Sequence, residues 1–86
     1  MSAKIKMYLT GTCPYCHMAE QLLRHKGVVE IEKIRVDLDA AQRVWMMEHT
    51  RQRTVPQIFI GDTHVGGFAE LAALEHAGKL EALLAG

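Results

Sequence analysis

The chain has 86 residues, 49% hydrophobic and 23% charged, the composition of an ordinary folded globule with room for one small core and none for a second catalytic domain. Ten basic side chains balance ten acidic ones, so a formal net charge of zero supplies no long-range field, and neither nucleic acid nor an anionic membrane is an expected partner. No run approaches the roughly 20 apolar residues of a membrane span and the charged start does not read as a leader, which makes the cytoplasm the expected compartment.

Lys4 to Leu9 alternates polar and apolar residues, with Ile5, Met7 and Leu9 on one side, and reads as a first strand. Gly11 and Thr12 turn the chain. From Pro14 to Lys26 the positions Met18, Ala19, Leu22 and Leu23 form one helical stripe, and Gly27 suits a left-handed helix end. Ile31 to Leu38, with Ile31, Ile34 and Val36 among charges, reads as a second strand, parallel to the first through a right-handed crossover. Asp39 can cap a helix over Ala40 to His49, although Val44, Trp45, Met47 and Glu48 leave its buried face undefined. Trp45 and the five methionines read as core or half-buried filler.

Thr54-Val55-Pro56 precedes the apolar run Ile58-Phe59-Ile60, the two-residue turn Gly61-Asp62, and Thr63-His64-Val65, a hairpin pattern with glycine at the first central turn position. Gly66-Gly67 ends the hairpin. Phe68 to Ala77 is helical with Leu71 and Leu74 inward, and after Gly78 the residues Leu80, Leu83 and Leu84 form a last short helical turn. The order β-α-β-α-β-β-α fits an α/β fold, a four-stranded mixed sheet with helices on both faces. The first strand should lie inside that sheet and deliver the residues after it to the carboxyl edge, where α/β folds keep their sites.

Those residues include Cys13-Pro14-Tyr15-Cys16, which holds the chain's two cysteines. In a reducing compartment the tiny loop between them makes a poor structural staple, whereas a redox or metal role suits the pair. One C-x-x-C is half of a structural zinc site, and His17, His25, His49, His64 and His76 lack the paired spacing that would complete it, so no metal ligand is assigned. Pro14 suits a first helical position. The free N–H groups and positive dipole end there favour a thiolate, the form that attacks disulfides. Cys13 is therefore read as the nucleophile, and Cys16, one turn further and shielded by packing, as the resolving thiol.

With this order of elements and Cys-Pro-Tyr-Cys at the first strand-to-helix junction, the chain resembles a dithiol glutaredoxin of the thioredoxin fold, nearly end to end, as one domain over 1–86. Tyr8, the segment Thr54-Val55-Pro56-Gln57-Ile58-Phe59-Ile60 and Gly66-Gly67 add to the likeness. The resemblance implies a glutathione-dependent thiol-disulfide oxidoreductase. It would reduce protein disulfides and glutathione mixed disulfides, using glutathione as co-substrate, holding no bound cofactor and working as a monomer. It also implies a cis bond between Val55 and Pro56 that turns out the Val55 backbone to pair with an extended peptide, with Thr54 beside it. By the same resemblance Tyr15 walls the glutathione groove, and Gly67, Phe68 and Ala69 receive its γ-glutamyl end at a helix N-terminus.

Two positions depart from the family's pattern. Thr10 stands where many members carry lysine, and Ala69 and Glu70 stand where many carry two aspartates. Arg51 or Arg53 could supply the missing cation, each reading equally well as a solvated helix-end charge, and Glu70 could partly replace an aspartate by reaching further. These departures leave open two other readings, an iron-sulfur cluster shared between two chains through Cys13, and electrons drawn from a thioredoxin reductase in place of glutathione.

Overall fold

The computed structural model describes residues 3–86, in the order β1 (Ile5–Leu9), α1 (Pro14–His25), β2 (Glu32–Arg35), α2 (Ala40–Thr50), β3 (Gln57–Ile60), β4 (Thr63–Gly66), α3 (Phe68–His76) and α4 (Leu80–Ala85). The strands lie side by side as β2-β1-β3-β4. β1 is thus interior, parallel to β2 with Met7 opposite Lys33, and antiparallel to β3 with Met7 opposite Ile58. This is the mixed sheet of a thioredoxin fold, and β1 ends at the sheet edge from which Cys13 departs.

Alternation along the two central strands divides the core. Ile5 and Met7 of β1 and Ile58 and Ile60 of β3 point to one face, where they are buried with Cys16, Ala19 and Leu23 of α1, Leu71 of α3 and Leu80 of α4. Tyr8 points to the other face and meets Val36 and Met46, with Ile34, Met47, Val55 and Phe59 around them. Helices therefore cover both faces, α1 and α3 on one and α2 on the other.

The first two helices start where Pro14 and Asp39 predict. Cys13 is the N-cap of α1 with Pro14 in its first turn, and the Asp39 carboxylate accepts the Gln42 N–H at 3.1 Å to begin α2. α1 closes by donating the Val28 N–H to the Leu23 carbonyl and the Gly27 N–H to that of Arg24, the double bond of a Schellman cap.

Three expectations need correction. β2 ends at Arg35, and the next three residues form a turn, so Val36 is buried while Leu38 is exposed. Met18 is exposed, because α1 seats on the sheet through Cys16, Ala19 and Leu23, which turns Met18 toward a hollow shared with Phe68 and Ala72 of α3. On α2 the buried positions are Met46 and Thr50. Trp45 lies at the rim, its ring stacked on those of Tyr8 (centroids 5.4 Å apart) and His49 (3.9 Å). Of the methionines, Met7 and Met46 are core and Met47 is half-buried, while Met1 lies outside the described residues.

The β3–β4 hairpin turns at Gly61-Asp62, with Ile60 opposite Thr63 and Gly61 at a φ of 59°. Beyond Phe59–His64 the register shifts, so that Ile58 faces Gly66 and Val65 is the extra residue of a bulge. The bulge bends β4 into α3.

Candidate active site

Three segments converge at the carboxyl edge of β1. The first is the start of α1. Cys13 is half-buried, its backbone extended (φ −141°, ψ 102°), and its Sγ accepts the Cys16 N–H at 3.2 Å. Cys16, one turn on, is 3% exposed within the core between α1 and the sheet. Burial, and then the neighbouring Cys13 sulfur, push its thiol up to about 12, so it stays protonated at neutral pH. The two sulfurs thus have unlike surroundings: one at a helix N-terminus within reach of solvent, the other desolvated.

The second segment is Thr54-Val55-Pro56, whose Val55–Pro56 bond is cis. The Val55 carbonyl oxygen lies 3.8 Å from Cys13 Sγ and accepts from its S–H. Pro56 is buried, Val55 half-buried and Thr54 exposed. The third is the β4–α3 junction. Gly67 is the N-cap of α3 and passes so close to the proline loop that a Cβ there would stand 3.4 Å from the Pro56 carbonyl oxygen. Phe68 and Ala69 occupy the first turn of α3, where backbone N–H groups have no partner within the helix. Across the gap Tyr15, 61% exposed, brings its ring centroid to 6.3 Å from that of Phe68. The three segments thus meet at the start of α1, with the Val55 carbonyl against Cys13 Sγ, Gly67 beside Pro56, and Tyr15 facing Phe68, while Cys16 lies beneath in the core and Thr54 is exposed.

Glu70 turns back on its own helix and accepts the Gly67 N–H at 2.7 Å, which makes it the cap of α3. Arg51 and Arg53 are exposed, line a shallow hollow with Gln52 and with Val44, Met47 and Glu48 of α2, and form no ion pair among the described residues. The guanidinium against the Thr10-Gly11-Thr12 turn belongs to Arg35. It meets Asp37 through two 2.7 Å bonds, and Asp37 in turn accepts the Gly11 N–H at 3.2 Å. That pairing holds the Asp37 carboxyl well below the usual carboxylate range. Nothing in the strand pattern of 31–38 signals this brace, since it depends on where β2 ends. Among the described residues no three His, Cys, Asp or Glu side chains gather closely enough to hold a metal ion, and no helix is long and apolar enough to cross a membrane.

A pair of cysteines one helical turn apart, the first capping the helix after an interior strand and facing a cis-proline loop, defines a thioredoxin-fold thiol-disulfide oxidoreductase. The glutaredoxin family model matches residues 5–65, and the chain belongs to the glutaredoxin family. A glutaredoxin of Neisseria meningitidis serogroup A is 49% identical over 80 residues, 93% of this chain and 94% of that one. The solution structure of glutaredoxin from Brucella melitensis superposes with a TM-score of 0.85 at 42% identity, covering 98% of this chain and 90% of its own. The crystal structure of a buckwheat glutaredoxin-glutathione complex superposes with a TM-score of 0.86 at 28% identity, covering 95% and 76%.

Proposed function

We propose that the chain is a glutathione-dependent oxidoreductase that reduces glutathione mixed disulfides and protein disulfides, with Cys13 as nucleophile and Cys16 as resolving thiol. The observation that carries this reading is the contrast between the two sulfurs: Cys13 Sγ half-exposed at the N-cap of α1 beside the Val55 carbonyl, and Cys16 buried with its thiol pushed up to about 12. The buckwheat complex supports glutathione as the co-substrate, because that protein shares the fold and its crystal structure is of a glutathione complex.

Glutathione lies in the cleft as a short extended peptide. It pairs with the Val55 backbone, its γ-glutamyl carboxylate meets the N–H groups of Phe68 and Ala69 beside Gly67, and the rings of Tyr15 and Phe68 flank it. Thr54 borders the same backbone. Once Cys13 has lost its proton or bonded to sulfur, the Val55 carbonyl is free of the S–H and available to this peptide.

In the monothiol reaction the Cys13 thiolate attacks the glutathione sulfur of a mixed disulfide. A bond forms between the two sulfurs, the old disulfide bond breaks, and the released thiolate takes up a proton. A second glutathione thiolate then attacks the glutathione held on Cys13, leaving oxidised glutathione and a regenerated Cys13 thiolate. In the dithiol reaction the Cys13 thiolate bonds to one sulfur of a protein disulfide, the disulfide bond breaks and its other sulfur leaves as a thiolate that takes up a proton, and Cys16 then attacks Cys13. The Cys16 proton passes to the departing protein thiolate, and two glutathiones reduce the resulting Cys13–Cys16 disulfide. Burial in the core keeps Cys16 from substrate sulfurs, so it acts on the neighbouring Cys13 sulfur alone. Residues 1–86 work as one glutaredoxin domain, as a monomer in a reducing cytoplasm and without a resident cofactor.

Cys16→Ser tests the division of roles. Turnover of a glutathionylated peptide should survive and reduction of a protein disulfide should be lost. Loss of both activities would show that Cys16 is needed for the first attack and that this assignment is wrong.

A further inference from the structure

β3 opens with a residue that its surroundings do not call for. Gln57 has no solvent-accessible surface, and its side chain shares the α2-covered face with Tyr8, the residue directly opposite on β1. An apolar side chain would fill that space with no polar group to satisfy. The amide is instead fully used. Its Nε2 donates to the Thr54 carbonyl oxygen at 2.9 Å, to Gln52 Oε1 at 2.9 Å and to Thr54 Oγ1 at 3.3 Å. Its Oε1 lies 2.8 Å from Nε2 of His64 on β4.

The Thr54 carbonyl can only accept, so it fixes which end of the amide faces the loop, and the oxygen end must face His64. The His64 Nε2 is then the donor of the pair. His64 reaches Gln57 because it stands opposite Phe59, two residues along β3, just before the Val65 bulge shifts the register. Residues 51–56 contain no helix or strand, yet they are held at both ends. On the α2 side the Gln52 N–H donates to Thr50 Oγ1 at 3.1 Å, and that hydroxyl donates to the Met46 carbonyl at 2.7 Å. On the β3 side the loop is held by the Gln57 amide.

We infer that Gln57 is a positioning residue, oriented by His64, which fixes the Gln52–Thr54 loop and so sets the Val55 backbone at the distance from Cys13 that a bound peptide requires. The inference rests on the glutathione reading above and adds to it two residues outside the cleft. A buried amide whose partners are all satisfied costs little in stability and holds one geometry, whereas the same amide without its partners is expensive. Loss of the clamp therefore loosens the docking backbone before it harms the sulfur chemistry.

The test is steady-state reduction of a glutathionylated peptide by Gln57→Leu, His64→Phe and His64→Gln beside the native chain. Gln57→Leu keeps most of the volume and removes the amide. His64→Phe keeps an aromatic ring against Phe59, whose centroid lies 5.0 Å from that of His64, and removes the N–H. His64→Gln removes the ring and keeps a donor. Gln57→Leu and His64→Phe should raise KM about tenfold with kcat within about twofold, and His64→Gln should restore most of the loss. An unchanged KM in Gln57→Leu would overturn the inference, as would a native-like His64→Phe beside an impaired His64→Gln, which would mean that ring packing is what matters.

Hydrogen exchange at the Gln52 amide, which donates to Thr50 Oγ1 at 3.1 Å within the clamped loop, provides a readout that does not depend on glutathione. Exchange should be at least tenfold faster in Gln57→Leu, and equal rates would overturn the clamp. If the native chain turns over no glutathione substrate, the proposed function fails and exchange alone decides this inference.

Discussion

Replacing Gly66 by alanine tests how the β4–α3 junction is built. Gly66 has a φ of 112°, a region that L side chains rarely adopt, and a Cβ there would stand 2.9 Å from Glu70 Oε1 and 3.1 Å from its Cγ. The backbone conformation alone costs an L-residue roughly 1–2 kcal/mol. The carboxylate end of Glu70 can swing aside, but in doing so it releases the Gly67 N–H that it accepts at 2.7 Å, a cap contribution of about 1 kcal/mol. Gly66→Ala should therefore destabilise the chain by about 2–3 kcal/mol, which for a domain of this size lowers Tm by roughly 10–20 °C. Urea unfolding should show a lower midpoint at an unchanged slope. In a Glu70→Ala background, where the cap is already absent, the same substitution should cost only the backbone part. A loss under about 0.5 kcal/mol, or equal losses in both backgrounds, would refute this account of the junction.

Two further predictions concern titration. The Cys16 thiol is pushed up to about 12 from an ordinary 9.0, so its neutral form stabilises the fold below pH 9 and that contribution is lost as pH rises toward 12. Within that window the native chain should lose stability relative to Cys16→Ala by up to about 1.4 kcal/mol per pH unit, and parallel curves would show that Cys16 is not buried as described. The Asp37 carboxyl is held below its ordinary value by Arg35 and then by the Gly11 N–H, so its contribution is present above about pH 4 and lost as pH falls through its folded pKa. The Gly11 amide resonance, which reports that bond, should titrate with a midpoint well below 3.9, and a midpoint near 3.9 would mean that the pair with Arg35 does not persist in solution.

The parts of this fold that a reader of the sequence can see are those written in local chemistry. Pro14 at a first helical position, Asp39 before an apolar run, Gly61-Asp62 between two short strands and the alternation of Ile5 and Met7 each act over a few residues. The structure bears out every one. The features that the sequence hides depend on partners far along the chain. Leu38 continues a strand-like pattern, but the chain turns after Arg35, where Asp37 braces Gly11. Met18 lies on the apolar stripe of α1 and is exposed because the neighbouring surface is the α1–α3 hollow and not the sheet.

The site divides in the same way. The cysteines announce themselves by spacing and residue type, and the proline loop by its resemblance to the family's segment. The clamp of Gln57 and the cap of Glu70 do not, because a glutamine in an apolar run and a glutamate in a first helical turn have many ordinary explanations. Only the proximity of Thr54, His64 and Gly67 in space selects among them.

Cys13 as the nucleophile of a glutathione-dependent reduction is tested by steady-state turnover of a glutathione mixed disulfide, coupled through glutathione reductase to NADPH oxidation, for the native chain and Cys13→Ser. The native chain should turn over rapidly and Cys13→Ser not above background. Turnover that survives in Cys13→Ser would contradict the assignment of the nucleophile, and a native chain that is inactive with glutathione but active with a thioredoxin reductase would contradict the co-substrate.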